Sequence, residues 1–353
     1  MDASPTPLTK PIAVSAYGPG AASTRVRLYD WLDHLGLESE DHRFLGRASN
    51  PPHEVLKQPL AVLRAELGLR RLAGRVSHRT VLLSREATPF GRGSIEARLL
   101  SKAAHGVYDY DDALYVGYPG RLSALLRPID RVWQRAVRAA DVVIAGSDLL
   151  AEPASALANE VVVIPSCIEP AAYQMKSSYA IGDHPRAVWL GSPSTEPYLT
   201  MISEALLQLH RELGLRLTLI SAGDRSHGSL DAMTDRVQWT PDGFAAELTK
   251  ADLGIMPLPD NEWTRGKCAY KLLQYAAAGL PAIGSAVGAN IPALRKVAGM
   301  AVESVNDWRD AIRSVIELPE VERASIGAAT RAGVTEHFSY AAWSRLWRAT
   351  TRL

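Results

Sequence analysis

Short apolar segments alternate with longer amphipathic segments over nearly the whole chain. In the first half the apolar segments are residues 12–16, 80–84, 106–110, 142–145 and 161–164. Most of them are rich in Val, Ile or Leu, and helical patterns such as residues 24–35, 54–67 and 129–140 lie between them. This alternation predicts an α/β fold in which a parallel sheet is covered by helices on both faces.

The pattern starts again after residues 170–185, a stretch of turn formers and mixed polarity. The later strand-like segments are residues 187–190, 217–220, 237–239, 253–256, 282–285 and 300–303. A chain of 353 residues is long enough for two cores. We therefore expect two Rossmann-like, doubly wound domains, residues 1–170 and 171–338, with a linker near residues 166–184.

The end of the chain reads as a further helix. Ser339 is placed to cap it, and Trp343 and Trp347 are spaced to share one helical face. From spacing alone this helix packs equally well on its own domain or on the first one.

Residues 265–281 carry the most information about function. They read as a basic loop, a helix over residues 267–278 with apolar positions at 272, 273, 276 and 277, and a stop at Gly279. Arg265, Lys267 and Lys271 surround the start of this helix, where unpaired N–H groups already favour an anion. Either an anion binds there or the cations form a solvated basic surface.

The run from Lys267 to Asn290, KCAYKLLQYAAAGLPAIGSAVGAN, resembles the nucleotide-sugar segment of retaining GT-B glycosyltransferases of the family-four type. Usual members carry two glutamates with seven residues between them, and this chain has Gly266 and Gln274 in their places. The second glutamate holds the donor ribose in that family, and Gln274 still offers donors and acceptors, without charge. The resemblance implies a donor site in the second domain, an acceptor site in the first, and a last helix that crosses back to the first domain.

The resemblance also implies donor contacts elsewhere in the second half. Relatives bind the donor diphosphate with an Arg and a Lys in and after the loop that follows residues 187–190. Both are missing here, so we expect other residues to bind the diphosphate. The diphosphate candidates are Arg25, Ser192, Arg265, Lys267 and Lys271. The candidates for the sugar and nucleoside are Gly191, Trp239, Glu262 and Gln274. Trp239 is equally well explained as a core residue.

The loop after the first strand, residues 17–27, contains glycines and opens a helix. It matches neither the GxGxxG fingerprint of dinucleotide sites nor a phosphate-binding loop with Gly-Lys-Ser/Thr. Loops at strand ends are where open α/β sheets bind ligands. We expect Gly20, Ser23 and Thr24 to contact the acceptor; a plain helix cap is the alternative.

An acidic run follows the strand at residues 106–110. Asp109, Asp111 and Asp112 stand beside tyrosines, and crowded carboxylates shift each other's pKa. We predict acceptor recognition by Asp111 and catalytic acid–base work among the three, against the alternative of solvated and capping carboxylates. The run suits an amine-bearing acceptor, such as an intermediate of antibiotic or other natural-product biosynthesis.

Composition excludes several partners. The net charge of +1 gives no field that would recruit nucleic acid, and two cysteines make neither a disulfide framework nor a zinc motif. No apolar run reaches transmembrane length, and residues 1–10 do not read as a signal sequence, so we expect a cytoplasmic protein. No marked basic amphipathic helix is evident in the first half, which disfavours lipid acceptors and stable membrane insertion.

The sequence and the resemblance together predict a glycosyltransferase without a cofactor, which uses a UDP- or GDP-linked sugar and a small-molecule acceptor. Independence of metal and retention at the anomeric carbon are implied by the resemblance alone. Two alternatives stay open. One is a nucleotide-sugar epimerase or hydrolase of the same fold, and the other is a sugar-nucleotide-binding protein without catalysis.

Overall fold

The computed structural model describes residues 10–47, 50, 55, 57–117 and 127–353. This part of the chain forms two compact units. The first unit runs to Ser166 and includes Trp343–Leu353, and the second is Cys167–Ala342. Each unit is built around its own parallel sheet, as the alternation of segments predicts.

The sheet of the first unit has six strands in the described residues. They are β1 (Ile12–Ser15), β2 (Glu40–Arg43), β3 (Thr80–Ser84), β4 (His105–Tyr110), β5 (Val142–Ala145) and β6 (Val161–Val163). Their order is β2-β1-β3-β4-β5-β6, and all pairs are parallel. Strands β1, β3, β4 and β5 are buried almost throughout, because helices cover both faces.

The helices of the first unit begin with a broken segment after β1. It consists of α1 (Ala22–Thr24), a π-helical stretch (Arg25–Tyr29) and α2 (Asp30–His34). The others are α3 (Pro59–Leu72), α4 (Ser94–Lys102), α5 (Ile129–Ala139) and α6 (Asp148–Ser155). Helix α3 corresponds to the helix predicted over residues 54–67; residues 54 and 56 of that prediction lie outside the described residues.

The sheet of the second unit also has six parallel strands. They are β7 (Arg186–Leu190), β8 (Arg216–Ser221), β9 (Thr234–Gln238), β10 (Leu253–Met256), β11 (Ala282–Ser285) and β12 (Met300–Val302), in the order β12-β11-β10-β7-β8-β9. Alternate residues of β7 enter two different apolar clusters: Val188 and Leu190 join one, Ala187 and Trp189 the other. Successive strand side chains point to opposite faces, so the sheet is buried on both.

Seven helices accompany this sheet in the described residues. They are α7 (Ser203–Leu213), α8 (Phe244–Leu248), α9 (Glu262–Arg265), α10 (Tyr270–Ala277), α11 (Asn290–Lys296), α12 (Val305–Glu317) and α13 (Glu320–Phe338). Helix α10 ends as predicted, because Gly279 has φ +73°. Its start differs: Ala269 has φ +56° and is the N-cap, so Lys267 lies before the helix and not in it.

The last helix, α14 (Tyr340–Thr351), starts at the end of the second unit and continues into the first. Ser339 Oγ accepts the N–H of Ala342 at 3.1 Å, as expected of a cap. Trp347 stacks on Trp31 with ring centroids 5.3 Å apart. The carbonyl of Thr350 lies 2.8 Å from Nε2 of His105, so the end of this helix packs on the first sheet's unit.

None of the helices in the described residues combines the length and apolarity that a membrane crossing requires.

Candidate functional site

The order of the second sheet defines a crevice at the carboxyl ends of its strands. From β7 the chain proceeds outward through β8 and β9, whereas β10, β11 and β12 extend in the other direction. The loops after β7 and β10 therefore diverge, and ligands of open α/β sheets bind at such a switch point. These loops contain residues 191–195 and 257–269, which hold most of the predicted donor contacts.

Lys271 lies over the loop after β7. Its Nζ is 3.4 Å from Oγ1 of Thr195 and 5.1 Å from the centroid of the Trp189 ring. A Cβ at Gly191 would lie 2.6 Å from Cε of Lys271 and 2.5 Å from the Trp189 ring. Only a glycine at 191 therefore leaves room for the lysine to reach this position.

Lys267 is the electrostatic neighbour of Lys271. Burial, and then the nearby Lys267 charge, lower the pKa of Lys271 to about 8. The Lys267 ammonium lies 5.3 Å from the centroid of the Trp263 ring. Both lysines adjoin the start of α10, whose dipole also favours a negative ligand. An anion bound here would relieve repulsion between two cations.

The remaining predicted diphosphate residues have other partners. The guanidinium of Arg265 pairs with Asp260, with Nε 2.6 Å from Oδ1, and both side chains are exposed. Ser192 Oγ is 3.0 Å from Oγ of Ser194. Arg25 belongs to the first unit and lies 3.7 Å from Asp30, so its convergence with the lysines on one anion stays a prediction.

The predicted sugar and nucleoside residues are placed differently from one another. Gln274 is buried, and its Nε2 donates to the Tyr173 hydroxyl at 3.2 Å. Trp239 stacks on Phe244 with centroids 6.0 Å apart and packs against the apolar core, which fits the core alternative. Glu262 is exposed in the first turn of α9.

The first sheet has its own switch point between β1 and β3. The loop after β1 brings Ser23 there, and the loop after β3 brings Arg85. Arg85 Nη1 donates to Asp111 Oδ1 at 3.0 Å and to Ser23 Oγ at 3.2 Å, and it also contacts Asp112 Oδ2. Ser23 Oγ donates to Asp111. The structure thus brings together three of the predicted residues, around an arginine that the sequence analysis did not identify.

Arg85 adopts a backbone conformation that is rare for a side-chain-bearing residue, with φ +62°. Its N–H donates to the Asp109 carbonyl at 2.9 Å, and its carbonyl accepts the Tyr108 hydroxyl at 2.8 Å. Strain of this type persists where surrounding contacts fix it, and it concentrates at functional sites. The sequence did offer one indication that Arg85 belongs to a site: two charged residues, Arg85 and Glu86, directly follow an apolar strand.

Asp109 is bound within the protein. Arg27 is fully buried and donates from Nε and Nη2 to the two carboxylate oxygens at 2.9 and 2.7 Å, while Nη1 donates to the Ile164 carbonyl at 2.8 Å. This pair joins the first helical segment to β4 and to the residue after β6. It gives Asp109 a structural role, and its catalytic role stays a prediction.

The other predicted acceptor residues differ in exposure. Gly20 is exposed on the loop after β1. Thr24 is fully buried, with its Oγ1 3.2 Å from Oγ of Ser15. Next to them, Tyr17 and Arg127 both donate to Glu86 Oε1, at 2.6 Å each. Of the three predicted residues, Gly20 and Ser23 lie where a ligand can reach them.

Two comparisons relate the sequence of this chain to known proteins. Residues 184–318, within the second unit, match the family model described as Glycosyl transferases group 1. A comparison with curated proteins gives no significant match.

Several solved structures are similar over nearly the whole chain. Sucrose-phosphate synthase from Thermosynechococcus elongatus is 16% identical with a TM-score of 0.71, over 96% of this chain and 98% of that one. HepE from Anabaena, in complex with UDP, is 14% identical with a TM-score of 0.67, over 98% of this chain and 100% of that one. WaaG, a glycosyltransferase involved in lipopolysaccharide biosynthesis, is 14% identical with a TM-score of 0.66, over 96% and 99%. At these identities the likeness shows the fold: two parallel α/β domains of the GT-B type.

Proposed function

We propose that this protein is a glycosyltransferase that moves a sugar from a nucleotide-diphosphate sugar to a small-molecule acceptor. The observation that carries the proposal is the pair of lysines at the switch point of the second unit, with Lys271 lying over Gly191 and Lys267 beside it. Departure of a nucleoside diphosphate concentrates negative charge on its phosphates. Cations that are already in place stabilise that charge, which is usually the largest contribution at such sites.

The comparisons support the same assignment. The matched family segment includes both lysines, and the similar HepE structure holds UDP, so UDP is the first nucleotide to test. Retention at the anomeric carbon and independence of metal rest on the resemblance to family-four enzymes. We include both in the proposal, with the donor on the second unit and the acceptor on the first.

For the acceptor side we propose the cluster of Ser23, Arg85, Asp111 and Asp112. Because Arg85 bridges both carboxylates, the cluster carries one formal negative charge. The cluster therefore attracts a cationic acceptor substrate less strongly than the acidic run alone suggested. Its hydroxyl and carboxylate oxygens can accept hydrogen bonds from the hydroxyl groups of a sugar or alcohol. An amine-bearing natural-product acceptor therefore remains a narrower form of this proposal.

The first experiment measures thermal stabilisation by UDP, GDP, dTDP and ADP. A nucleotide at about 100 times its dissociation constant adds about 2.7 kcal/mol of stability. We expect one of them to stabilise the protein and Lys271→Ala to lose the effect. Lys250→Ala is the matched control, because Lys250 is an exposed lysine of the same unit that pairs with Glu247. Absence of stabilisation by all four nucleotides contradicts the donor site.

A second experiment separates the transferase from the two alternatives. The protein is mixed with the sugar form of the stabilising nucleotide, with and without a panel of acceptors. Nucleoside diphosphate release that requires an acceptor supports the transferase. Release without acceptor supports a hydrolase, and tight donor binding without turnover supports a binding protein.

A further inference from the structure

Helix α3 of the first unit presents large apolar side chains to solvent. Leu60, Leu63 and Leu67 are 69%, 55% and 39% exposed. Their spacing of three and four residues places them on one face of the helix. Scattered exposed leucines are ordinary, but a contiguous apolar face on a surface helix marks a binding surface.

Basic residues border this face on both sides. Arg64, Arg70 and Arg71 are exposed on the same helix. At 3.6 residues per turn, Arg70 falls beside Leu63 while Arg64 and Arg71 fall beyond Leu60, so the leucines lie between cations. The one acidic residue of the helix, Glu66, is half-buried and accepts a hydrogen bond from the Thr88 hydroxyl.

The neighbouring helix α4 carries further exposed cations. It packs against α3, and its Arg98 and Lys102 are exposed. Its only acid, Glu96, is fully buried. Phe90, in the loop that Thr88 ties to α3, adds a ring that is 45% exposed. Both helices lie wholly within the described residues. Together they expose leucines and cationic side chains to solvent, and neither exposes a carboxylate.

We propose that α3 docks on the surface of an anionic lipid bilayer. An apolar face between cations is the pattern of helices that lie in the membrane interface, where the leucines enter the headgroup boundary and the arginines meet lipid phosphates. The helix has 14 residues, so it is about 21 Å long and too short to cross a hydrocarbon core of about 30 Å. It lies on the membrane and does not span it.

A second copy of the chain fits this surface less well. A symmetric dimer through α3 would bring the arginines of one copy against those of the other, because such an interface uses the same patch twice. Like charges placed face to face oppose association. An anionic bilayer satisfies both the apolar and the charged part of the surface.

This inference departs from the expectation of a first half without a marked basic amphipathic helix, which stays a prediction. The sequence pattern obscures the feature, since the buried residues of α3 are concentrated in its second half, with Leu69 and Leu72. The inference goes beyond the proposed function and is independent of it: it places the acceptor-side unit at a lipid surface without requiring that the acceptor be a lipid.

The test is co-sedimentation of the full chain with vesicles. One set contains phosphatidylcholine alone and the other contains about one third phosphatidylglycerol, at low and at high salt. We expect binding to the anionic vesicles that weakens with salt, and little binding to the neutral ones. The triple variant Leu60→Gln, Leu63→Gln, Leu67→Gln should lower the affinity at least tenfold, and so should Arg64→Gln, Arg70→Gln, Arg71→Gln.

The control variant is Leu149→Gln, which removes a leucine that is 42% exposed on α6 of the same unit. It should bind vesicles as the unchanged protein does. All variants replace exposed side chains by good helix formers, and unchanged cooperative thermal unfolding without any ligand verifies that they are folded.

Three results overturn the proposal. The first is no vesicle binding by a protein that unfolds cooperatively on heating and is therefore folded, and the second is equal binding to neutral and anionic vesicles. The third is self-association in sedimentation velocity that the leucine variant abolishes while vesicle binding is unaffected, which assigns the face to a second copy.

Discussion

The pKa of Lys271 makes nucleotide binding depend on pH in a specific way. Burial and the Lys267 charge lower this pKa to about 8 in the free protein. A diphosphate placed against the ammonium favours its charged form, so binding raises the pKa again. The affinity should therefore be highest below pH 8 and should fall as the pH rises through that value.

The size of the effect follows from the fraction of charged lysine. With a pKa of about 8, the free protein carries the charge on about nine tenths of its molecules at pH 7 and about one tenth at pH 9. If only the charged form binds, affinity falls about tenfold over this range, which is about 1.4 kcal/mol. At pH 8, binding should take up about half a proton per nucleotide.

Titration calorimetry of UDP at pH 7, 8 and 9, in buffers of different ionisation enthalpy, measures both quantities. Lys271→Gln should bind at least tenfold more weakly at pH 7, because a charge-assisted hydrogen bond contributes about 1.5–3 kcal/mol. Its affinity should show little of the fall above pH 8. Lys271→Arg keeps its charge over the whole range, so its profile should also be flat.

The stability of the free protein should change in the opposite direction. The pKa of Lys271 is lowered from its ordinary 10.5, so between pH 8 and 10.5 the folded state binds fewer protons at this site than the unfolded state. Stability then rises with pH over this window, while nucleotide affinity falls. A wild-type affinity that is constant from pH 7 to 9, or a Lys271→Gln variant with the wild-type slope, would refute the reasoning.

Three further predictions concern other residues. Gly191→Ala should weaken UDP binding at least tenfold, because the added Cβ lies 2.6 Å from Lys271 Cε; Gly182→Ala is the control, since its Cβ meets nothing within 4 Å. Arg27→Met should cost about 3–5 kcal/mol in urea unfolding, because it leaves Asp109 buried without its partner, and adding Asp109→Leu should recover part of that loss. Burial raises the pKa of Glu96 to about 7, above its unfolded value, so stability should fall as pH rises from about 4.5 to 7; Glu96→Gln should remove this slope in unfolding experiments, and an unchanged slope would show that another group causes it.

The strands were predictable because their signal is local. Ten of the eleven predicted strand segments differ from the observed strands by at most one residue at either end, since buried parallel strands read as continuous apolar runs. Strand β2 was missed because its sequence, Glu-Asp-His-Arg, is polar and because, among the described strands, it pairs only with β1 at the edge of the sheet. Its place is determined by hydrogen bonds to a partner strand, which no local pattern records.

The start of α10 shows a different limit. Its apolar positions predicted a helix from Lys267, but Ala269 adopts the left-handed conformation and delays the helix to Tyr270. Nothing in a Lys-Cys-Ala sequence favours that conformation, which is rare outside glycine and asparagine. The lysines were found from charge alone, whereas the delay that leaves Lys267 in the preceding loop required the three-dimensional structure.

The network around Arg85 could not be read from the sequence, because its partners are distant in the chain. Ser23, Asp111 and Asp112 lie 62, 26 and 27 residues away and meet only because β1, β3 and β4 are neighbours in the sheet. The acidic run could be seen in the sequence, but its pairing with Arg85 could not. The sequence of the run therefore suggests a cationic ligand, whereas in the folded protein Arg85 already balances part of the negative charge that would attract one.

The two switch points consequently differ in charge. In the first unit, Asp109, Asp111 and Asp112 each meet a guanidinium, so most of the charge is balanced within the protein. In the second, the contacts of the Lys271 ammonium are a hydroxyl and an aromatic ring, and its charged neighbour is another lysine. A balanced polar site suits a neutral acceptor with hydroxyl groups, whereas two adjacent cations at a helix start gain most from a diphosphate. This difference in charge is the physical reason for assigning the donor to the second unit. The pH dependence of UDP binding tests the assignment directly, because it reports the charge of the Lys271 ammonium.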